Sequence, residues 1–526
     1  MSSPLFAKKP LAQILGEMEG EGRLKRVLGP WGLTALGVGA IIGTGIFVLI
    51  GKAAHDQAGP ALMLSFVVAG IACIFAALCY AEFAAMVPVA GSAYTYAYAT
   101  LGELFAWIIG WDLVLEYAVG AATVAHGWSK YFQALLAIFH LHVPTIISTA
   151  PFKYEVQEKV SRIVGTGSLF DFPAVAITAV ITTILVLGIK ESARFNATMV
   201  IVKLSVVFLV IALGAFYIDP ANWSPFAPKG FAGISFFGVK EWTIGGLEDG
   251  KPVGMLAGSA MIFFAYIGFD AVSTQSEEAK NPKRDVPFGI IVSLIVCTIL
   301  YVLVAGVLTG MIRYDLIDKD APVSNAFMQK GLTWANTVIT IGALTGITSV
   351  LLVMMLSQPR ICLAMARDGL LPRSFFASIH PKFHTPWKST ILTGIFVGTL
   401  GALLPIDILA ELVNIGTLLA FAIVCGAVLI MRRTNPDAVR PFRVPLMPWT
   451  AILGIATCFM LMCSLPVENW LRLFGWLAVG FVIYFGYSRK NSALNLRNID
   501  AADRATAAAA ALETGPTSAA AAAGEA

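Results

Sequence analysis

Residues 37–47, GVGAIIGTGIF, set four glycines (Gly37, Gly39, Gly43 and Gly45) into an otherwise apolar run. A helix crossing a bilayer gains nothing from such a cluster unless another helix packs closely there or the backbone itself opens. Close packing through small residues would account for this stretch taken alone. A second stretch favours opening: residues 263–271, FFAYIGFDA, place Gly268 and the acidic Asp270 deep in another apolar run. The two runs are the first and sixth along the chain. Five-helix repeats of inverted topology carry their discontinuous helices at corresponding positions, and the site lies between them. Unwinding a helix at that depth frees N–H and C=O groups that must find partners. A zwitterion supplies both kinds: its carboxylate accepts from N–H groups at a half-helix N-terminus, and its ammonium donates to freed carbonyls. An amino acid therefore fits such a site without any charged side chain lining it.

Composition agrees with membrane residence. The chain has 526 residues, 57% hydrophobic and 13% charged, about half the roughly 25% charged share of a globular protein. That excludes a soluble protein of this size, and disorder over most of the chain is excluded by the same figures. A net charge of +4 with no basic stripe argues against nucleic acid as a partner. The seven cysteines (Cys73, Cys79, Cys297, Cys362, Cys425, Cys458 and Cys463) lie in or beside apolar stretches without CxxC spacing, and read as packing residues, with no metal site or cofactor implied.

A spanning helix needs about 20 apolar residues. Twelve stretches qualify, near 30–52, 61–86, 99–124, 171–189, 197–218, 254–277, 286–311, 334–358, 389–404, 408–431, 448–465 and 469–487. Only Pro405 and Asp407 hold the ninth and tenth apart. The first 29 residues are too polar for a signal peptide, so the first span is expected to be a retained anchor. With a cytoplasmic N-terminus, 23 Lys and Arg residues fall inside and 12 outside, leaving Lys203 within a span. The bias puts both termini in the cytoplasm. Residues 126–170 and 219–253 read as external connections, and 491–526 as a mobile Ala-rich tail.

Each ionisable residue inside a span costs at least about 2.5–3.5 kcal/mol on insertion scales and needs an account. Asp112 and Glu116, in GWDLVLEYAVG, share one face of span 3, where like charges repel, so they are not expected to share a role. Asp270 is either a cap on the half-helix after the break or part of a gating pair. Glu82, Glu277 and Glu278 sit near span ends where Lys280, Lys283, Arg284 or Arg367 could pair with them as a gate or clamp. No GxxxxGK[ST] stretch suggests a nucleotide-driven pump, and no GxSxG suggests a hydrolase. The six histidines (His55, His126, His140, His142, His380 and His384) fall in loops or at span ends, which argues against a membrane enzyme.

GVGAIIGTGIF, FFAYIGFDAVSTQSEEAKNPKRDVPFGI (263–290) and QPRICLAMARDGLLP (358–372) resemble the amino acid–polyamine–organocation transporters, in particular their cationic-amino-acid-transporter branch, over about residues 25–490. The resemblance implies an all-α membrane protein of twelve helices. Ten form a leucine-transporter-like core of two inverted repeats (about 30–218 and 254–431) with helices 1 and 6 broken, and two peripheral helices occupy 432–490. By the resemblance, Gly43, Thr44 and Gly45 would present N–H groups to a substrate carboxylate. The carbonyls of Ile41, Phe264, Ala265 and Ile267 would take its ammonium, and Glu116 would line the site. Lys203 either snorkels to the headgroups or is a buried amine beside the span 1 break, where an amine that can lose and regain a proton would couple transport to protons. Met354, in SVLLVMMLSQPR, either faces the ligand or packs against neighbours; facing it, its bulk would favour small or medium amino acids over long cationic ones. The expected function is proton-coupled amino acid uptake at a cell membrane, with an exchanger, or a channel or non-transporting sensor, as alternatives. An accessory membrane partner on the last two helices stays open.

Overall fold

The computed structural model describes residues 6–10, 28–87, 92–157, 160–187, 189–236, 239–248, 251–276, 279–383 and 385–494. Glu277, Glu278, His384 and the tail from 495 onward lie outside these. A helix satisfies the backbone polar groups of a long apolar run within the segment itself, and helices dominate the described residues accordingly. Apart from the short turns Ile50–Lys52, Arg373–Phe376 and Arg489–Asn491, the α-helices in chain order are α1 (Pro30–Ile41), α2 (Leu62–Met86), α3 (Ser92–Thr100), α4 (Glu103–Ile138), α5 (Phe172–Leu187), α6 (Ile189–Gly214), α7 (Met255–Ile262), α8 (Ala271–Thr274), α9 (Pro282–Met311), α10 (Pro322–Gln329), α11 (Thr333–Arg367), α12 (Trp387–Leu403), α13 (Ile406–Thr434), α14 (Trp449–Cys463) and α15 (Val467–Ile483). Eight helical stretches among the described residues are long and apolar enough to cross a membrane. Three shorter apolar helices, α1, α5 and α14, accompany them. Short antiparallel hairpins, β1–β2 (152–165), β3–β4 (234–244) and β5–β6 (246–253), sit within the two long connections.

Proline sets several boundaries. Pro30 and Pro282 open α1 and α9, where the missing N–H has no intrahelical partner to lose. Pro405, in an extended conformation (φ −69°, ψ 149°), separates α12 from α13 and resolves the ninth and tenth spans as two helices. The third span runs further than its hydropathy suggests, since α4 continues to Ile138. Residues 126–138 are therefore helix, not external loop, because their polar groups find partners inside the bundle: the Trp128 indole donates to Thr348 Oγ1 (3.0 Å) and Gln133 to Ser129 Oγ (3.0 Å). His126 is accordingly a buried helix residue, 3.3 Å from Asp171.

Packing joins α4 to α11 and α13, and α9 to α1 and α2. Between α2, the second break and α13, the rings of Tyr80, Phe263, Phe269 and Phe421 pack with centroids 5.0–5.9 Å apart. All seven cysteines are free and buried.

Glu82 does not pair with Lys280, Lys283, Arg284 or Arg367. Its buried carboxylate accepts from Arg432 Nε (3.0 Å) and Nη2 (2.5 Å) and from the Val444 N–H (2.7 Å), with Arg440 Nε at 3.4 Å. Arg432 comes from the last turn of α13, and the α13–α14 connection folds back over the end of α2 to bring in Arg440 and Val444. At the same end, Lys9 donates to Asp368 (2.8 Å), as does Tyr94 (2.8 Å), and Ser492 donates to Glu103. Residues 491–494 are thus docked, the Ala493 N–H meeting the Asp368 carbonyl at 2.9 Å; the rest of the stretch expected to be a mobile tail lies outside the described residues. Replacing Glu82 by glutamine strips the counter-charge from two arginines, one of them buried. The expected loss is about 3 kcal/mol, at the low end for a broken buried pair because Arg432 is partly exposed. Thermal unfolding of the detergent-solubilised protein reads it, and an unchanged midpoint would count against the clamp.

Candidate functional site

The first span is broken where its glycines cluster. α1 ends at Ile41, Ile42 is extended (φ −75°, ψ 107°), and a π-helical turn resumes at Gly45–Leu49. The last four carbonyls of a helix have no intrahelical donor, and here most of them are met from other elements. The Val38 carbonyl accepts from the Ile42 N–H (3.1 Å). The Gly39 carbonyl accepts from Lys203 Nζ (2.5 Å) and Ser349 Oγ (3.0 Å), and the Ile41 carbonyl from the Tyr301 hydroxyl (2.8 Å). The Ile42 carbonyl accepts from Lys203 Nζ (2.8 Å). On the far side, the Ile46 and Phe47 N–H groups turn back to the Gly43 carbonyl (3.2 and 3.1 Å), and no side chain caps the turn that begins at Gly45. Thr44 Oγ1 is buried without a hydrogen-bond partner among the described residues.

Lys203 does not snorkel. α6 starts at Ile189, which puts Lys203 about 21 Å along the helix, and the residue is fully buried. Besides the two carbonyls, its third contact is Ser349 Oγ on α11 (3.0 Å). Three acceptors match the three N–H donors of an ammonium. The C-terminal end of α1 also turns the negative pole of its dipole toward the charge.

The sixth span is broken twice. α7 stops at Ile262, a 3₁₀ turn covers Phe263–Tyr266, and helix resumes at Ala271. Asn414 of α13 donates to the Ala260 (2.9 Å) and Met261 (3.1 Å) carbonyls, satisfying the end of α7. Asp270 makes no side-chain cap on the helix it precedes. Instead its Oδ1 accepts from the Gly268 N–H (3.2 Å) and its Oδ2 from the Tyr117 hydroxyl, which closes the turn of the break and ties it to α4. The two breaks lie back to back: Gly45 presses on Ala265, and Gly268 on the Ala40 carbonyl.

The residues singled out from the sequence therefore converge in part. Ile41, Thr44, Phe264, Ala265 and Ile267 are buried where the breaks meet, with Gly43 and Gly45. The Ala265 carbonyl accepts from Tyr301 (2.8 Å), and that of Phe264 from the Ile267 N–H (3.2 Å). Met354 is buried and packs on Gly120 of α4, one turn along α11 from Val350, which packs on Gly43. Glu116, one turn before Gly120, is buried with neither carboxylate oxygen hydrogen-bonded among the described residues; the Thr417 hydroxyl lies beside it without completing a bond. Asp112 is likewise buried and unpaired, near Gly416. Sequence reading passed over Tyr301, Ser349, Asn414, Tyr117 and Tyr131, the last donating to the Phe47 carbonyl (2.7 Å). Their one sequence signal is a polar group inside an apolar run.

A family profile described as amino acid permease matches residues 28–484. The chain is 47% identical over 496 residues to the branched-chain amino acid permease BcaP of Bacillus subtilis (strain 168), covering 94% of this chain and 100% of that protein. It is 45% identical over 493 residues to the methylthioribose transporter of the same organism, again 94% and 100% of the two chains. To the vacuolar cationic amino acid transporter 4 of Arabidopsis thaliana it is 38% identical over 423 residues, 80% of this chain and 66% of that one.

Proposed function

The chain belongs to the amino acid permease family of the amino acid–polyamine–organocation superfamily, a transporter and not an enzyme, and from this premise we propose that it carries amino acids by proton-coupled symport. The observation that carries the coupling is the buried Lys203 amine, bonded to the Gly39 and Ile42 carbonyls at the end of α1 and to Ser349 of α11. A group that gains and loses a proton there changes the bonds that hold α1 to its neighbours. Substrate binding at the same break then senses the proton.

In this reading twelve helices span the membrane with both termini cytoplasmic, ten of them forming two inverted repeats that rock around the site, and α14 and α15 lie at the periphery. The N–H groups of Gly43, Thr44 and Gly45 hold the substrate carboxylate. Its ammonium is held by carbonyls drawn from those of Ile41, Phe264, Ala265 and Ile267, and Glu116 meets an amino group through water. Met354 closes the side-chain end of the pocket. The bulk of Met354, seated on Gly120, favours in this reading small or medium neutral side chains, branched ones included, over a long guanidinium tail. The relatives' names span branched-chain and cationic amino acids and a methylthioribose, which makes the substrate panel the decisive test.

Purified protein in proteoliposomes should take up alanine, leucine or valine, more so under an inward proton gradient than without one, and equally with sodium or potassium outside. Arginine should compete at least about tenfold more weakly than leucine, a difference of roughly 1.4 kcal/mol in binding. Equal competition by arginine overturns the narrow pocket. Uptake of methylthioribose alone overturns the amino acid reading.

A further inference from the structure

The Tyr301 hydroxyl joins the two breaks. It lies 2.8 Å from the Ile41 carbonyl oxygen at the end of α1 and 2.8 Å from the Ala265 carbonyl oxygen in the 3₁₀ turn after α7. The residue projects from α9 and is fully buried, and its ring is wedged between Phe66 (centroids 5.2 Å apart) and Tyr266 (5.4 Å). A phenol carries one hydrogen and can satisfy only one of two carbonyls at a time. The group of three oxygens is therefore one donor short, at a depth where an unpaired carbonyl is costly. What it lacks is an N–H donor between Ile41 and Ala265.

From this geometry we propose that Tyr301 is a positioning and specificity-determining residue for the substrate amine, fixing the two carbonyls at a shared spacing and admitting a primary ammonium while rejecting an N-methylated one. The proposal rests on the amino acid reading above and adds to it a residue and a selectivity. A primary ammonium brings three N–H donors, which meet the two carbonyl oxygens and the lone pair of the hydroxyl. Each carbonyl keeps a second lone pair for the phenol hydrogen, so binding adds bonds without breaking the bridge between the breaks. An N-methylated amino acid brings two donors. Its methyl group then stands against the hydroxyl or displaces a carbonyl.

Two conservative variants test this. Tyr301→Phe keeps the ring and removes the hydroxyl; Tyr266→Phe, which breaks a 2.7 Å bond to the Phe66 carbonyl next door, serves as the structural control. Inhibition of labelled leucine uptake by alanine and by N-methylalanine is measured for each. Wild type should prefer alanine by at least about tenfold, the size of one bond to a charged group. In Tyr301→Phe the alanine constant should rise about tenfold while that of N-methylalanine changes little, so the ratio collapses toward one. Tyr266→Phe should keep the wild-type ratio. An unchanged ratio in Tyr301→Phe, whether or not both constants weaken, overturns the assignment, as does a wild type that does not distinguish the two compounds. Wild type that carries no amino acid overturns the functional reading itself, a separate and recognisable outcome.

Discussion

Lys203→Gln should transport without responding to a proton gradient. In wild type, a gradient of about one pH unit is worth about 1.4 kcal/mol per coupled proton and can raise steady-state accumulation up to about tenfold. In the variant the ratio should fall to near one, while exchange of labelled for unlabelled substrate at equal pH persists. The expectation follows from the number of bonds the amine makes. As an ammonium, Lys203 donates to the Gly39 and Ile42 carbonyls and to Ser349 Oγ, which itself donates to Gly39. As a neutral amine it has two donors and a lone pair, so one of the three contacts is lost or reversed and the end of α1 is held less tightly. Glutamine fixes the group in a neutral state. Arginine at the same place would fix the charge, and its accumulation should be equally flat, which separates coupling from a simple need for charge. Full gradient response in either variant would remove Lys203 from the mechanism.

The breaks were legible in the sequence because both kinds of signal, clustered glycine and a stray carboxylate, are out of place in a spanning helix. What fills them was not. A tyrosine or serine in an apolar run is compatible with any helix face, so nothing near Tyr301 or Ser349 tells which carbonyl each will meet; that depends on α9 and α11 crossing the end of α1. Lys203 stands only six residues into the hydropathy run that begins near 197, which leaves snorkelling open, whereas α6 begins at Ile189 and the residue is fully buried. The partner of Glu82 lies 350 residues away and becomes adjacent only when α13 packs against α2. Polar residues 126–138 masked the end of α4 for the reverse reason: a hydropathy window counts Trp128, Ser129 and Gln133 against a buried helix, although each is hydrogen-bonded within the bundle. Charge and periodicity thus report depth poorly wherever polar groups are paired.

Gly45→Ala should abolish transport, and its cause lies in how closely the two broken helices approach. A Cβ built on Gly45 would overlap the Cα and Cβ of Ala265, and backbone cannot yield as a flexible side chain can. The breaks would have to move apart. Overpacking of this kind costs typically 1–3 kcal/mol in stability, which a large helical bundle can absorb. The greater loss would fall on the proposed site, in which the N–H groups after the first break and the carbonyls of the second converge on one small ligand. We therefore expect uptake below about one-tenth of wild type, the effect of roughly 1.4 kcal/mol or more of lost binding, with expression and unfolding midpoint much less affected. Gly268→Ala should act similarly by a different route, since its φ of +117° disfavours any side chain and the added carbon would meet the Ala40 carbonyl at 2.8 Å. Gly475 of α15 provides the contrast: a Cβ there meets nothing within 4 Å, and Gly475→Ala should transport normally. Comparable uptake in all three variants would mean that the two breaks do not form one site.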